Sequence, residues 1–428
     1  MTSAAQRLAA ALAPCFAGPL PVRLRAWDGS QAGPADAPAV LVRTPRALRR
    51  LLWQPGELGL AEAYIAGEID VDGDLGESLS QVWRYVRERG AVRPRPADLA
   101  RAATLALRLG ALGPRPAPPA APRARVAGRL HSTARDRAAI AHHYDLSNAF
   151  YELLLDESMA YSCAYWTRPQ GPDYDLADAQ RDKLDLICRK LGLGPGTRLL
   201  DVGCGWGSVA VHAARAYKAA VTAVTLSARQ RDHLRDRVAR EGVADLVEVE
   251  LAHYRDVQGG GYDAVCAIEM GEHVGDAEYP AFARQLGGLL RPRGRLLVQQ
   301  MSRGANAPGG GAFIETYIAP DMHMRPVGGT VAVLESAGLE VRSVQSLREH
   351  YAWTIEAWRR TLEERWDDFV GLVGEPTTRV WRLYLAGSAL AFAHNRMGVE
   401  QILSVRPDPG GGSAMPATPS WHRAEGTR

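Results

Sequence analysis

Leu199–Gly207 reads LLDVGCGWG, and its interpretation decides the fold. The apolar run Arg198–Val202 precedes glycines at 203, 205 and 207, and Ser208–Tyr217 is rich in Ala and Val at helical spacing, so the stretch reads as buried strand, turn and helix. Such a turn requires backbone without Cβ. Gly203 and Gly205 allow positive φ and a close approach of ligand to main chain, at the end of a helix whose first N–H groups are unpaired. A dinucleotide loop has G-x-G-x-x-G and an acidic residue about 20 positions on. Here the spacing is G-x-G-x-G, and the next strand, Ala220–Val224, ends in Thr225 and Leu226. The loop therefore predicts S-adenosylmethionine (AdoMet) rather than NAD.

Outward from the loop, strands and helices alternate. Strands are predicted at Leu246–Leu251, Tyr262–Ile268, Arg295–Gln299, Glu340–Leu347 and Glu400–Val405, with a helix through Gln230–Glu241. With the first two strands this makes seven, and the alternation predicts a parallel α/β sheet with helices on both faces. Ligands collect at the carboxyl ends of such strands. There lie Tyr254 and Arg255, and the run Glu269-Met270-Gly271-Glu272-His273.

The chain has 428 residues, 46% hydrophobic, with a net charge of +3, enough for two or three compact units. The basic excess between Arg101 and Arg137 accompanies no nucleic-acid reader motif, so no nucleic-acid partner is expected. Five dispersed cysteines without C-x-x-C or Cys/His spacing predict a reduced, cytoplasmic protein and no metal. Pro14 interrupts the apolar N-terminus, which argues against a signal peptide, and no uncharged run of 18 residues exists.

Four regions are expected. Residues 1–110 form a small accessory domain, in which Glu62, Glu68, Asp70, Asp72 and Asp74 lack EF-hand spacing and read as a solvated turn. Residues 111–137, Pro- and Arg-rich, read as an extended linker. Residues 138–407 carry the sheet, and 408–428 read as a disordered tail. His142 and His143 read either as functional residues or as helix-surface or satisfied core histidines. The aromatic stretches Arg348–Arg360 and Trp381–Gly398 read mainly as core, with an acyl-chain tunnel as the sharper alternative.

Six motifs occur in order: HHYDLSNAFYELLLDESMAYSCAYW, LLDVGCGWG, VTLSARQ, HYRD, EHVG and HYAWTIEAW. Over about residues 138–407 the chain resembles the cyclopropane-fatty-acyl-phospholipid synthase and mycolic acid cyclopropane synthase family of AdoMet-dependent methyltransferases. The resemblance implies a class I, Rossmann-like seven-stranded fold with a small N-terminal domain. It implies AdoMet against Asp201, Gly203 and Gly205, with Tyr161, Ser162, Thr225, Leu226, Gln230, Tyr254 and Arg255 around it. It also implies a bicarbonate proton acceptor, with Cys163, Glu272 and Tyr351 as its counterparts and His273 beside them. The family's histidine after strand five is replaced by Gln299, which puts the full bicarbonate set in doubt.

Methylating an alkene demands a strong electrophile, a dry site and support for a carbocation. The faces of Tyr144, Tyr161, Trp166 or Tyr351 are candidates for that support. The Gln299 departure and the AEAYIAGEIDVDGDL unit are similar to the branch that makes 10-methylene-stearoyl (tuberculostearic-type) chains. A methylene-branched product is therefore expected ahead of a cyclopropane. The implied partners are a phospholipid membrane surface bound peripherally, an unsaturated acyl phospholipid, a second copy of the chain and, for a methylene product, a reductase. A small-molecule methyltransferase and a non-catalytic lipid-binding protein remain the alternatives.

Overall fold

The structure is a computed structural model that describes residues 2–16, 18–90, 95–144, 146–304 and 310–421, without the side chains of 141–144. The chain forms two compact units. One comprises Met1–Arg123, Gly311–Tyr317 and Leu362–Leu390, the other Ala124–Gly310, Ile318–Thr361 and Ala391–Arg428. The first is thus not confined to the 110 residues expected, because the helix Trp366–Val373 and most of Glu375–Ala393 belong to it.

The first unit holds a four-stranded sheet of β1 (Arg23–Ala26), β2 (Gln31–Ala32), β3 (Ala39–Val42) and β4 (Ile69–Asp72), in the order β2-β1-β3-β4. Small apolar residues from the helices Ala4–Leu12, Arg46–Trp53 and Glu57–Ile65, among them Ala5, Ala47 and Ala63, pack with Leu24 and Val42. The acidic set is not a solvated turn. Arg50 donates to Glu68 through Nε at 3.0 Å and Nη2 at 2.9 Å, and to Glu62 at 3.4 Å, while Arg123 also bonds Glu62. Asp70 receives Arg43 at 2.8 Å and Arg379 at 3.3 Å. Only Asp72 and Asp74 are exposed. The residues that bury the others are arginines from distant segments, which local spacing cannot reveal.

The second unit is built on a seven-stranded sheet: β5 (Arg198–Val202), β6 (Ala220–Thr225), β7 (Val247–Leu251), β8 (Tyr262–Ile268), β9 (Leu290–Ser302), β10 (Glu340–Ser346) and β11 (Gly398–Val405). Their order is β10-β11-β9-β8-β5-β6-β7. The pairings from β7 through β9 are parallel, and β11 is antiparallel to both β9 and β10. Buried runs such as Leu199, Leu200 and Val202 are what a strand covered on both faces requires. Gly203, Gly205 and Gly207 all have positive φ, at 78°, 55° and 86°. A Cβ on Gly207 would lie 2.0 Å from Leu234, so glycine also permits the close packing of the helix Ala228–Arg240.

Two expected boundaries fail here. The helix Thr133–Tyr144 occupies the end of the supposed linker. Beyond Pro407, the Asp408 carboxylate accepts from the N–H groups of Gly410 and Gly412 and from Arg293, so the glycines close a turn. Trp421 is buried against the core that includes Leu184, Cys188 and Val211, and its carbonyl accepts from Arg189 Nε at 3.0 Å. Order therefore reaches at least Trp421 because one large apolar side chain anchors a polar segment. Residues 422–428 lie outside the described residues.

Candidate active site

A cleft opens at the carboxyl ends of β5, β6 and β8. It is lined by Asp201, Gly203 and Gly205 from the first turn, Thr225, Leu226 and Gln230 after β6, and Tyr161, Ser162 and Tyr254. The position follows from the topology, since β5 is flanked by β6 and β8 and the chain leaves each at the same edge. A Cβ on Gly205 would meet no atom within 4 Å, so this backbone faces open space where a ligand can reach it.

Thr225 Oγ1 donates to Gln230 Oε1 at 2.7 Å, which orients the amide and leaves its N–H₂ to donate. Asp201 is fully buried, and burial pushes its pKa up to about 6. Its Oδ1 accepts from Cys266 Sγ at 3.4 Å, whereas Oδ2 has no hydrogen-bond partner among the described residues. A buried polar atom left open beside a cleft is suited to a ligand donor.

One expected cofactor residue is not there. Arg255 donates to Glu278 at 3.2 Å and to the His131 carbonyl at 3.3 Å and does not line the cleft. Its neighbour Tyr254 does, because consecutive residues of a 3₁₀ turn point apart. His253 lines the cleft at the carboxyl end of its strand, as the sequence predicts, and Asp136 and Trp206 line it without having been singled out as site residues. Asp136 reaches His253 Nε2 at 3.5 Å, and Trp206 stacks 4.5 Å from Tyr151, whose ring is 5.6 Å from Tyr161. His273 also lines the cleft, and burial lowers its pKa to about 4, so it is neutral near pH 7.

Beside this cleft lies a cluster centred on Glu269, the residue that follows β8. Tyr351 donates its hydroxyl to Oε2 at 2.5 Å, while the Cys163 N–H and Gln299 Nε2 both donate to Oε1 at 2.8 Å. Cys163, Tyr351 and Gln299 thus converge as expected, but the carboxylate that joins them is Glu269, not Glu272. Glu272 accepts from the Met301 N–H at 2.6 Å, and its Oε2 has no hydrogen-bond partner among the described residues. Burial, helped by the charge of Glu269, pushes its pKa up to about 8. The Cys163 thiol donates to the carbonyls of Ala164 and Leu347 and is held well above its ordinary pKa by burial and by Glu269.

The orientation of Gln299 is set by a buried relay. Lys190 from the helix Leu176–Leu191 donates to Gln345 Oε1 at 2.6 Å and Gln401 Oε1 at 2.8 Å. Gln401 then donates Nε2 to Gln299 Oε1 at 2.9 Å, across a directly paired position of β11 and β9. Burial lowers the pKa of Lys190 to about 7; in its ammonium form it only donates, so each amide is oriented in turn and Gln299 presents N–H₂ to Glu269. Burial raises the pKa of Glu269, against the lowering effect of its hydrogen bonds from Tyr351, the Cys163 N–H and Gln299 and of the charge of buried Lys183, which donates to Ser162 Oγ at 3.0 Å.

Tyr351 packs 4.6 Å from Phe392 and 6.2 Å from Trp358, which lies 5.3 Å from Tyr161. Trp166 instead bonds Thr354 and packs on Tyr174, away from the cleft lining. Tyr144, His142 and His143 have side chains outside the described residues, as does part of the Gly309–Gly311 loop.

Residues 131–402 match the family model described as mycolic acid cyclopropane synthetase. A probable fatty acid methyltransferase of Mycobacterium tuberculosis is 39% identical over 94% of this chain and 95% of its own. A tuberculostearic acid methyltransferase of the same organism is 34% identical over 91% and 89%. The crystal structure of a mycolic acid cyclopropane synthase complexed with SAH and CTAB is 32% identical, covers 63% of this chain and 98% of its own, and has a TM-score of 0.59. The α/β unit with its seven strands has the class I AdoMet methyltransferase fold, and the chain belongs to the cyclopropane synthase family of AdoMet-dependent methyltransferases that modify lipid acyl chains.

Proposed function

We propose that this protein transfers a methyl group from AdoMet to the cis double bond of an unsaturated acyl chain carried by a phospholipid, and that the main product is a methylene-branched chain. The observation that carries the reading is that Glu269 belongs both to the lining of the nucleoside cleft and to the Tyr351–Cys163–Gln299 cluster. A methyl donor and a proton acceptor thereby share one site. The residues around the cleft fit AdoMet: two positive-φ glycines and, without hydrogen-bond partners among the described residues, a buried carboxylate oxygen of Asp201 and the amide N–H₂ of Gln230. Bound there, AdoMet supplies an electrophilic methyl on a sulfonium.

The chain's own residues do the rest. Tyr161 lines the cleft and offers its ring face to a carbocation, at about 0.5–2 kcal/mol, with the rings of Trp358 and Tyr351 packed in succession behind it. Glu272, protonated near neutrality, keeps a second negative charge out of the site. Gln299 holds the acceptor through a neutral amide, a weaker tether than a charged histidine would give. That gives the cation time for a hydride shift, which diverts it from ring closure to a methylene branch. The relative named as a tuberculostearic acid methyltransferase supports this branch.

Among the described residues no helix is long and apolar enough to cross a membrane. Peripheral attachment at the inner face of the membrane is accordingly part of the reading, through exposed arginines such as Arg108, Arg125 and Arg129. Gas chromatography and mass spectrometry of oleoyl phospholipid vesicles incubated with the enzyme and AdoMet test the reading. A new chain that becomes methyl-branched on hydrogenation supports it, and an exclusive cyclopropane product refutes the branch.

A further inference from the structure

Three neutral donors, the Cys163 N–H, the Gln299 N–H₂ and the Tyr351 hydroxyl, converge within 2.5–2.8 Å on the Glu269 carboxylate. Convergence of this kind is a binding site for a small planar anion. A family member that uses bicarbonate would place that ion among such donors. Here the chain's own side chain fills the position, and the residues do not fit a separate anion as well.

The backbone gives an independent reason to read this as function. Glu269 has φ +52°, in the left-handed region that favours glycine. A glutamate there carries conformational cost and persists where the surroundings demand its side chain. Those surroundings are a Gln299 whose amide is oriented by Gln401 and Lys190, and a Tyr351 backed by Phe392.

Building on the reaction read above, we propose that Glu269 is the proton acceptor of the methyl-transfer reaction, and that this enzyme works without bicarbonate. The electron balance is as follows. The S–CH₃ bond breaks as the alkene π electrons form the new C–C bond, leaving a cation on the neighbouring carbon. Hydride migrates from the methyl-bearing carbon to that neighbour. One C–H bond of the transferred methyl then breaks, its electrons become the methylene π bond, and the proton passes to Glu269 Oε2. That oxygen accepts one hydrogen bond among the described residues, from Tyr351, whereas Oε1 accepts two, so a lone pair remains on Oε2. The proton leaves to water when the product departs.

Two glutamates three positions apart therefore divide the work. Glu269, with three donors, is the better-supported anion, and Glu272, with the Met301 N–H alone, carries the proton.

The test uses the full chain in bicarbonate-stripped buffer with oleoyl phospholipid vesicles and methyl-labelled AdoMet. Wild type is expected to turn over at the same rate, within about twofold, with and without added bicarbonate. Glu269→Gln should lower turnover by about 10²–10⁴-fold with little change in AdoMet affinity by calorimetry. Glu269→Gly relieves the backbone strain and opens the donor nest, and bicarbonate or formate should restore part of its rate. A wild type that stalls without bicarbonate, or a Glu269→Gln variant at wild-type rate, overturns the proposal. Calorimetric titration of bicarbonate separates this from the functional reading. Absence of label in the lipid would sink the function, whereas bicarbonate binding to wild type as tightly as to Glu269→Gly would sink the acceptor assignment whatever the lipid assay returns.

Discussion

Buried carboxylates occur in both units of this protein, and they are satisfied in opposite ways. In the first unit Glu62, Glu68 and Asp70 are met by guanidinium groups of Arg50, Arg123, Arg43 and Arg379. Burial works to raise the pKa of Asp70, but Arg379, the Val71 N–H and Arg43 outweigh it and hold it below the ordinary value. In the second unit Glu269 and Glu272 receive only uncharged donors among the described residues, and burial leaves both raised. A carboxylate locked to arginine is an unreactive strut. One held by neutral donors in a low-dielectric wall is able to exchange a proton, and this contrast separates architecture from chemistry.

The contrast predicts opposite responses to substitution. The largest effect is expected at Arg50, where Arg50→Ala removes the main partner of two buried carboxylates and should destabilise the first unit by about 3–5 kcal/mol. Urea unfolding followed by circular dichroism measures it, and a loss below about 1 kcal/mol would remove Arg50 from the structural role. Glu272→Gln should do the reverse. A carboxyl whose pKa rises from 4.5 to about 8 on folding favours the folded state in its protonated form. That contribution is complete below pH 4.5 and is lost as pH rises through 8. The variant, which cannot ionise, should therefore gain about 2–4 kcal/mol over wild type at pH 8 and nothing at pH 4. Equal stabilities at both pH values would show that Glu272 is not held neutral.

Smaller effects sharpen the chemical side. Tyr351→Phe removes the hydroxyl from Glu269 Oε2 and should lower kcat about 10–10²-fold with an unchanged Kd for AdoMet. A change confined to Kd would reassign Tyr351 to binding. Gln299→His is expected to shift the product toward cyclopropane by only a few-fold, since the Gln401 and Lys190 relay still surrounds the position. An unaltered product ratio would detach the branch from Gln299.

Much of this was legible in the sequence, for reasons that are local. Most of the strands are written in apolar runs, β7 and β10 in alternating ones, and the glycine turn in its spacing, so the elements and the cleft at their carboxyl ends follow directly. Cys163, Tyr351 and Gln299 were each legible, but the residue that unites them was not. Glu269 and Glu272 differ by three positions in one turn, and which one reaches the cluster depends on the left-handed backbone at Glu269. The Lys190–Gln401–Gln299 relay draws on three segments far apart in the chain. Its one local signal is polar residues inside otherwise apolar strands, LLVQQMS and VEQILSV. Composition misled in two places: Gly, Pro and Ser around Asp408 mask the anchoring Trp421, and the acidic run before Leu75 conceals its arginine partners.

The most direct test of the account is the fate of the transferred methyl. Enzyme, oleoyl phospholipid vesicles and AdoMet bearing a trideuterated methyl are combined in bicarbonate-stripped buffer, and the acyl chains are analysed by mass spectrometry before and after hydrogenation. The account predicts a methylene-branched chain that retains two of the three deuterons, the third having passed to Glu269. An unmodified oleoyl chain, or a new chain that forms only when bicarbonate is restored, would contradict it.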